Sequence, residues 1–234
     1  MFTEGIYNIN KPSGWTSFDV VAKIRNLSKI KKVGHAGTLD PLATGVLVVC
    51  LGRVFTRNIS IISKTEKEYI ATVQLGYTTA SYDSEKPLEN ENPKIVSEDQ
   101  IREALMSFVG EQEQLPPLYS AVMVGGKRLY KYARDNEVVE IKPRAITIKK
   151  IEILEIVSEN NAGAFSKVKF SVVCSAGTYL RTLAHDLGQK LGCRAYLLNL
   201  VRTRVGDYCL ADSFDFKTAI DTLKIQEAAW LKLH

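Results

Sequence analysis

The chain of 234 residues is 45% hydrophobic and 24% charged, with a formal net charge of +5. That is enough apolar material for one large or two small domains with a core. The absence of any run of about 18 apolar residues excludes a membrane-crossing helix, and the mild positive charge permits a nucleic-acid partner. The N-terminal "MFTEGIYNINKPSG" has no charged stretch leading into an apolar one, so no signal peptide is expected. Cys50, Cys174, Cys193 and Cys209 lie far apart with no CxxC pair, which reads as reduced thiols in a cytoplasmic protein.

In chain order, "GIYNINKP" reads as a strand ended by a proline turn. "TSFDVVAKIRNLSK" reads as an amphipathic helix with Phe18, Val21, Ile24 and Leu27 on its apolar side and Thr16 or Ser17 as cap. A small-residue loop follows, then "GVLVVCLG", a buried strand. "KEYIATVQLGYTT" alternates, with Tyr69, Ala71, Val73 and Leu75 on one face. Residues 81–96 are polar with two prolines and read as a surface loop. "SEDQIREALMSFVG" is a helix capped by Ser97, with acids in its first turn and Gly110 at its end. "EQLPPLYSAVMVGGKRLYKYARD" is irregular, with tyrosines set among basic residues. "EVVEIKPRAITIKKIEILEI", "SKVKFSVVCSAG" and "AYLLNLVRTRVGDY" read as strands. "TYLRTLAHDLGQKLG" is a helix with Leu180, Leu183, Leu187 and Leu191 on its apolar side. The class is α+β with a mixed or antiparallel sheet, organised as a single catalytic domain.

Three stretches carry candidate chemistry. In "GHAGTLDPLATGVL", residues 34–47, Asp40 is a lone carboxylate on a small-residue loop at the mouth of a buried strand. Taken alone, Asp-Pro reads as a turn. Gly34, Ala36 and Gly37 leave room for a large ligand, and the strand behind offers rigid positioning. In "CSAGTYLRTLAHDLG", Tyr179 and Arg181 open a helix after a buried strand, where an Arg can hold a carboxylate. Residues 115–134 mix aromatics with Lys and Arg, the composition of an RNA groove. No GxGxxG, GxxxxGK[ST], HExxH or GxSxG occurs, which excludes the corresponding dinucleotide, nucleotide, zinc-protease and hydrolase readings.

"NKPSGWTS", "GHAGTLDPLATGVLVV", "KEYIATVQLG.TT.S.D", "Q.PPLYSAV...GKRLYKYAR" and "CSAGTYLRTLAHDLG" resemble, in this order, the motifs of the TruB family of tRNA pseudouridine-55 synthases. The resemblance covers roughly residues 5–208. It implies the pseudouridine synthase fold, a curved mixed sheet with flanking helices and a central RNA-binding cleft. It makes Asp40 the essential aspartate, Tyr69 the tyrosine that stacks on the base, and Arg181 the aspartate's partner. His35 would help displace the base, Tyr179 and Leu200 would line the pocket, and Lys11, Gly37, Thr38 and Arg128 would complete the binding set. Residues near 115–134 resemble a thumb-like insertion. The chain departs from the family at Asn10, where Asp is common, and at Met123, where a basic residue is common. It also looks like a short form without a C-terminal PUA domain.

The implied reaction isomerises uridine-55 in the T-loop of tRNA by aspartate attack at C6 or C1′ on a flipped base. It needs no metal and no cofactor. The expected partner is the tRNA T-arm, and the expected form is a cytoplasmic monomer. An RNA-binding module or tRNA-folding chaperone, with Asp40 as a turn residue, is the alternative; only the set Asp40, Tyr69 and Arg181 favours catalysis.

Overall fold

The computed structural model describes residues 3–92, 94–158, 166–222 and 224. The strands in chain order are β1 (Gly5–Lys11), β2 (Val33–His35), β3 (Thr44–Leu51), β4 (Lys67–Leu75), β5 (Tyr77–Thr79), β6 (Leu88–Glu91), β7 (Gly110–Gln114), β8 (Met123–Val124), β9 (Lys127–Arg128), β10 (Arg144–Ser158), β11 (Ser166–Cys174), β12 (Ala195–Val205), β13 (Tyr208–Cys209) and β14 (Phe214–Asp215). The helices are α1 (Ser17–Ser28), α2 (Arg53–Thr56), α3 (Ile59–Ile62), α4 (Glu98–Met106), α5 (Leu129–Asp135) and α6 (Leu180–Leu191). They form two compact units, one from Met1–Tyr69 with Leu200–His234 and one from Ile70–Asn199.

In the first unit the strand order is β14-β1-β3-β12. β1 and β3 pair antiparallel along their whole length, from Gly5↔Leu51 to Lys11↔Gly45. The other edge of β3 is shared. β12 pairs there in parallel at Thr44 and Gly45, and β2 pairs antiparallel from Val49 to Leu51. Both faces of β3 are covered, which explains its unbroken apolar run. Leu47, Val49 and Leu51 join Val20, Val21 and Ile24 of α1 in one core. Val46, Val48 and Cys50 join Ala36, Ile62 and Val205 in another. Leu47 is fully buried. Leu47→Ala should therefore cost about 2–5 kcal/mol, a large share of a typical domain's stability, readable by chemical denaturation.

α1 starts as expected at Thr16, which forms a capping box with Asp19. Its buried stripe is Ser17, Val20, Val21 and Ile24. Phe18 is 64% exposed, contrary to the expected spacing, because the stripe follows the capping turn rather than Phe18.

In the second unit the order is β4-β11-β10-β7. β10 pairs antiparallel with β11 on one side and β7 on the other, with two register shifts against β11. α4 has the expected cap at Ser97, which forms a capping box with Gln100, but the helix stops at Met106. Gly110, with φ of +123°, opens β7 instead of ending the helix. Residues 81–96 are not simply a surface loop. β6 returns to pair with β5, and Ser81 and Asp83 are buried. Strand structure begins only at Arg144, so residues 137–143 fall outside the strand expected there. In α6, Leu180, Leu183, Leu187 and Leu191 are all buried as expected, and Gly192 ends the helix in the left-handed region. Parallel and antiparallel pairs thus coexist in a mixed sheet with flanking helices, the expected class. Among the described residues no helix is long and apolar enough to cross a membrane.

Candidate active site

Asp40 lies on the loop between β2 and β3. Ala36 N donates to Val48 O at 2.9 Å where the loop begins. From Gly37 to Leu42 every main-chain carbonyl has a donor. Arg202 donates to Gly37 O at 3.2 Å and Thr38 O at 3.1 Å. Ser17 Oγ donates to Leu39 O at 3.0 Å and accepts from Leu39 N at 2.8 Å. Ala43 N donates to Asp40 O at 3.1 Å, closing a turn with Asp40 first and Pro41 second. Gly14 N at 2.8 Å and Lys11 Nζ at 3.3 Å donate to Pro41 O, and Ser13 Oγ donates to Leu42 O at 3.3 Å. Lys11, Ser13, Gly14 and Ser17 all belong to "NKPSGWTS". One sequence motif is therefore the clamp that holds the other.

The Asp40 residue is half-buried and Thr38 is exposed, so the tip of the clamped loop meets solvent. Lys11, expected among the RNA-binding residues, is fully buried. Its ammonium also donates to Pro12 O at 2.9 Å and Trp15 O at 2.7 Å. His35 ends β2 with its Nδ1 buried and, among the described residues, without a hydrogen-bond partner. Burial pulls its pKa below the ordinary histidine value. The Arg202 charge acts in the same direction, and the Gly37 backbone opposes both. The ring is thus neutral at neutral pH.

Tyr69 is 8% exposed and alternates with buried Ala71, Val73 and Leu75 along β4. The start of this strand is tied to β12. Arg204 pairs with Glu66 at 2.7 Å and Glu68 at 3.3 Å. Thr203 Oγ1 donates to Glu68 at 3.2 Å, and Gly206 N donates to Glu66 O at 3.0 Å. Each exposed pair contributes only about 0–1 kcal/mol, but together they fix the height of Tyr69 along the strand. Leu200, 6% exposed, is on β12 two residues before Arg202.

In the second unit Arg181 is 5% exposed. Its Nε lies 3.5 Å from Asp83 Oδ2, and it donates to Ser81 O at 3.2 Å and Tyr119 O at 3.0 Å. Asp83 also accepts from Ser81 Oγ and, at 3.0 Å, from Glu85 N. These two bonds hold the Asp83 carboxylate beside the guanidinium. Tyr82, between them, has φ of +62°, a strained value for a bulky residue, and stacks on His185 with centroids 3.9 Å apart. Tyr179 caps α6, held on both sides by Gln114: Tyr179 N donates to Oε1 at 2.8 Å and Nε2 donates to Tyr179 O at 3.1 Å. Sequence reasoning gave no role to Asp83, Ser81, Gln114 or Arg202. The "TT.S.D" segment was the available signal for Asp83; an isolated Gln or a third Arg in a basic run gave none.

Residues 115–134 contain the β8–β9 hairpin, turned at Gly125 and Gly126, followed by α5. Lys127 is engaged by Asp135 and Glu137, whose hydrogen bonds raise its pKa, Asp135 first. Arg128 is exposed. Among the described residues no cluster of three or more His, Cys, Asp or Glu could hold a metal ion.

Comparison with known proteins places this geometry. The model of the TruB family pseudouridylate synthase N-terminal domain matches residues 25–180, and that of the tRNA pseudouridylate synthase B C-terminal domain matches residues 181–232. The chain is 45% identical over 235 residues to tRNA pseudouridine synthase B of Phocaeicola vulgatus, covering 97% of this chain and 96% of that one. It is 49% identical over 214 residues to the protein of the same name from Dehalococcoides mccartyi, covering 91% and 69%. Among solved structures it is similar to a chain of the Cbf5-Nop10-Gar1 complex, with a TM-score of 0.71 and 33% identity. That match covers 93% of this chain but 54% of the other, so the chain spans about half its length. The two family models together run from residue 25 to residue 232, and the chain belongs to the TruB family of pseudouridylate synthases.

Proposed function

We propose that this chain is a tRNA pseudouridine synthase that isomerises uridine-55 of the T-arm, with Asp40 as nucleophile. The observation that carries the reading is the Asp40 loop. An acidic residue is set on a turn whose main chain is bonded at each carbonyl from Gly37 to Leu42, at the end of a strand buried on both faces. Rigid support of this kind is what a catalytic group needs and a surface turn does not.

In the reaction the N1–C1′ glycosidic bond breaks, uracil rotates, and a C5–C1′ bond forms. The C5 proton leaves and N1 gains one, so the product is an isomer of the substrate. The Asp40 carboxylate supplies the covalent step, at C6 or C1′. Tyr69 supplies a ring for the flipped base and a hydroxyl for the C5 proton. Arg181 supplies a buried cation whose orientation Asp83 sets. His35, neutral, occupies the base of the same loop as Asp40. The reading includes one catalytic domain with a thumb-like insertion near 115–134, acting as a cytoplasmic monomer. Incubation with an unmodified tRNA transcript, followed by mapping of pseudouridine, tests it.

RNA binding should weaken with salt. Each phosphate neutralised contributes about 0.9 to the log–log slope on duplex, somewhat less on single strands. Lys127 is already paired within the protein, whereas Arg128 is exposed. Arg128→Ala should thus flatten the slope of tRNA affinity against salt by somewhat less than about one unit. An unchanged slope would mean that Arg128 touches no phosphate.

A further inference from the structure

Arg202 is 1% exposed and the largest of the fully buried side chains among the described residues. A guanidinium taken out of water ordinarily has a carboxylate beside it. Among the described residues its three nitrogens meet only main-chain oxygens: Nε donates to Val46 O at 2.7 Å, Nη1 to Thr38 O at 3.1 Å and Nη2 to Gly37 O at 3.2 Å. The main chain of the same residue lies against Gly45, its register partner in the parallel β3–β12 pair. A Cβ added at Gly45 would lie 2.2 Å from Arg202 O, and Gly45 has φ of +103°. The contact therefore needs glycine on both counts.

Segment 37–46 thus leaves from and returns to a single residue. The side chain of Arg202 holds its departure at Gly37 and Thr38, and the backbone and side chain hold its return at Gly45 and Val46. Asp40 lies within that closed segment, on which Ser17, Lys11 and Ser13 hold the carbonyls of Leu39, Pro41 and Leu42. An apolar side chain of similar volume would fill the space but leave three carbonyls without a donor. A lysine presents one compact ammonium, which cannot span oxygens on both arms of the segment.

We infer that Arg202 is a positioning residue for Asp40: it closes segment 37–46 so that the carboxylate is held at the height the reaction needs. This rests on reading Asp40 as the nucleophile. At 1% exposure Arg202 is shielded from solvent, and its effect passes through the main chain of the loop. Misplacing a reacting group by about 1 Å is enough to cost about 10²-fold in rate.

The test uses the full chain with Arg202→Met and Arg202→Lys. Single-turnover rate, KM for an unmodified tRNA transcript, and tRNA affinity are measured at a temperature where circular dichroism shows each variant folded. Arg202→Met should lower the chemical rate about 10²-fold with KM and affinity within about threefold of wild type. Arg202→Lys should recover part of the rate. Should Arg202→Met not fold, Arg202→Lys decides on the same readouts, with an expected rate loss of about tenfold at unchanged KM. A folded variant with the wild-type rate, or a loss confined to KM and affinity, overturns the inference. If wild-type protein makes no pseudouridine, the functional reading fails instead. Hydrogen exchange then decides the anchoring alone, which predicts faster amide exchange over residues 36–44 in both variants with β3 protection retained; unchanged loop exchange overturns it.

Discussion

Asp40→Asn should abolish pseudouridine formation while tRNA affinity stays within several-fold of wild type. The change is nearly isosteric, and Asn is as suitable as Asp at the first position of the turn. The bonds that shape the loop are made to main-chain groups by Arg202, Ser17, Ala43, Gly14, Lys11 and Ser13, and none of these uses the Asp40 side chain. The loop should therefore keep its form and the RNA its footing. What is lost is the nucleophile, and loss of at least roughly 10⁴-fold in single-turnover rate is the scale expected when a nucleophile is removed. Activity near wild type would remove Asp40 from the mechanism. A parallel loss of affinity would mean that the carboxylate, rather than the loop, binds RNA.

Tyr69 carries the second large expectation. Tyr69→Phe should bind tRNA normally yet fail to release pseudouridine, whereas Tyr69→Leu should also lose roughly 1–3 kcal/mol of base binding through lost stacking. Proton balance requires an acceptor at C5. An intermediate already bonded through C5 must shed its C5 proton. In the proposed reading His35 displaces the base, and no Glu in the recognised motifs has the task of taking the proton. The phenol is the group left. Tyr69 is buried and alternates along β4 in step with buried Ala71 and Val73, which raises the competing role of a core aromatic. The two roles separate cleanly, because Phe fills the same core volume. A Tyr69→Phe variant with wild-type rate and yield takes the hydroxyl out of proton transfer, and one that unfolds assigns Tyr69 to the core.

Local signals in the sequence carried far where one element decides the outcome. The caps Ser97 and Thr16, the latter one of two candidates for α1, were legible because a cap is written within a few residues. So were the doubly buried β3 and the leucine face of α6, each set by simple periodicity. The errors have a common cause. Phe18 fits a helical spacing but lies off the face that docks on β1 and β3. Ser81 and Asp83 look solvated in a polar stretch, but Arg181, a hundred residues away, takes both inside. Arg202 belongs to "RTR", indistinguishable in sequence from a surface cation, and its burial depends on three carbonyls more than 150 positions earlier. The Asp40 loop stood out as a motif; the contacts that hold it still did not, since they are long-range bonds to main-chain atoms.

Nucleotide-resolution mapping of pseudouridine in an unmodified tRNA transcript, incubated in parallel with the wild-type chain and with Asp40→Asn, tests the central claim most directly. The account predicts one new pseudouridine, at uridine-55 of the T-arm, with the wild-type chain and none with Asp40→Asn. No product from folded wild-type protein that binds the transcript, or the same product from Asp40→Asn, would contradict it.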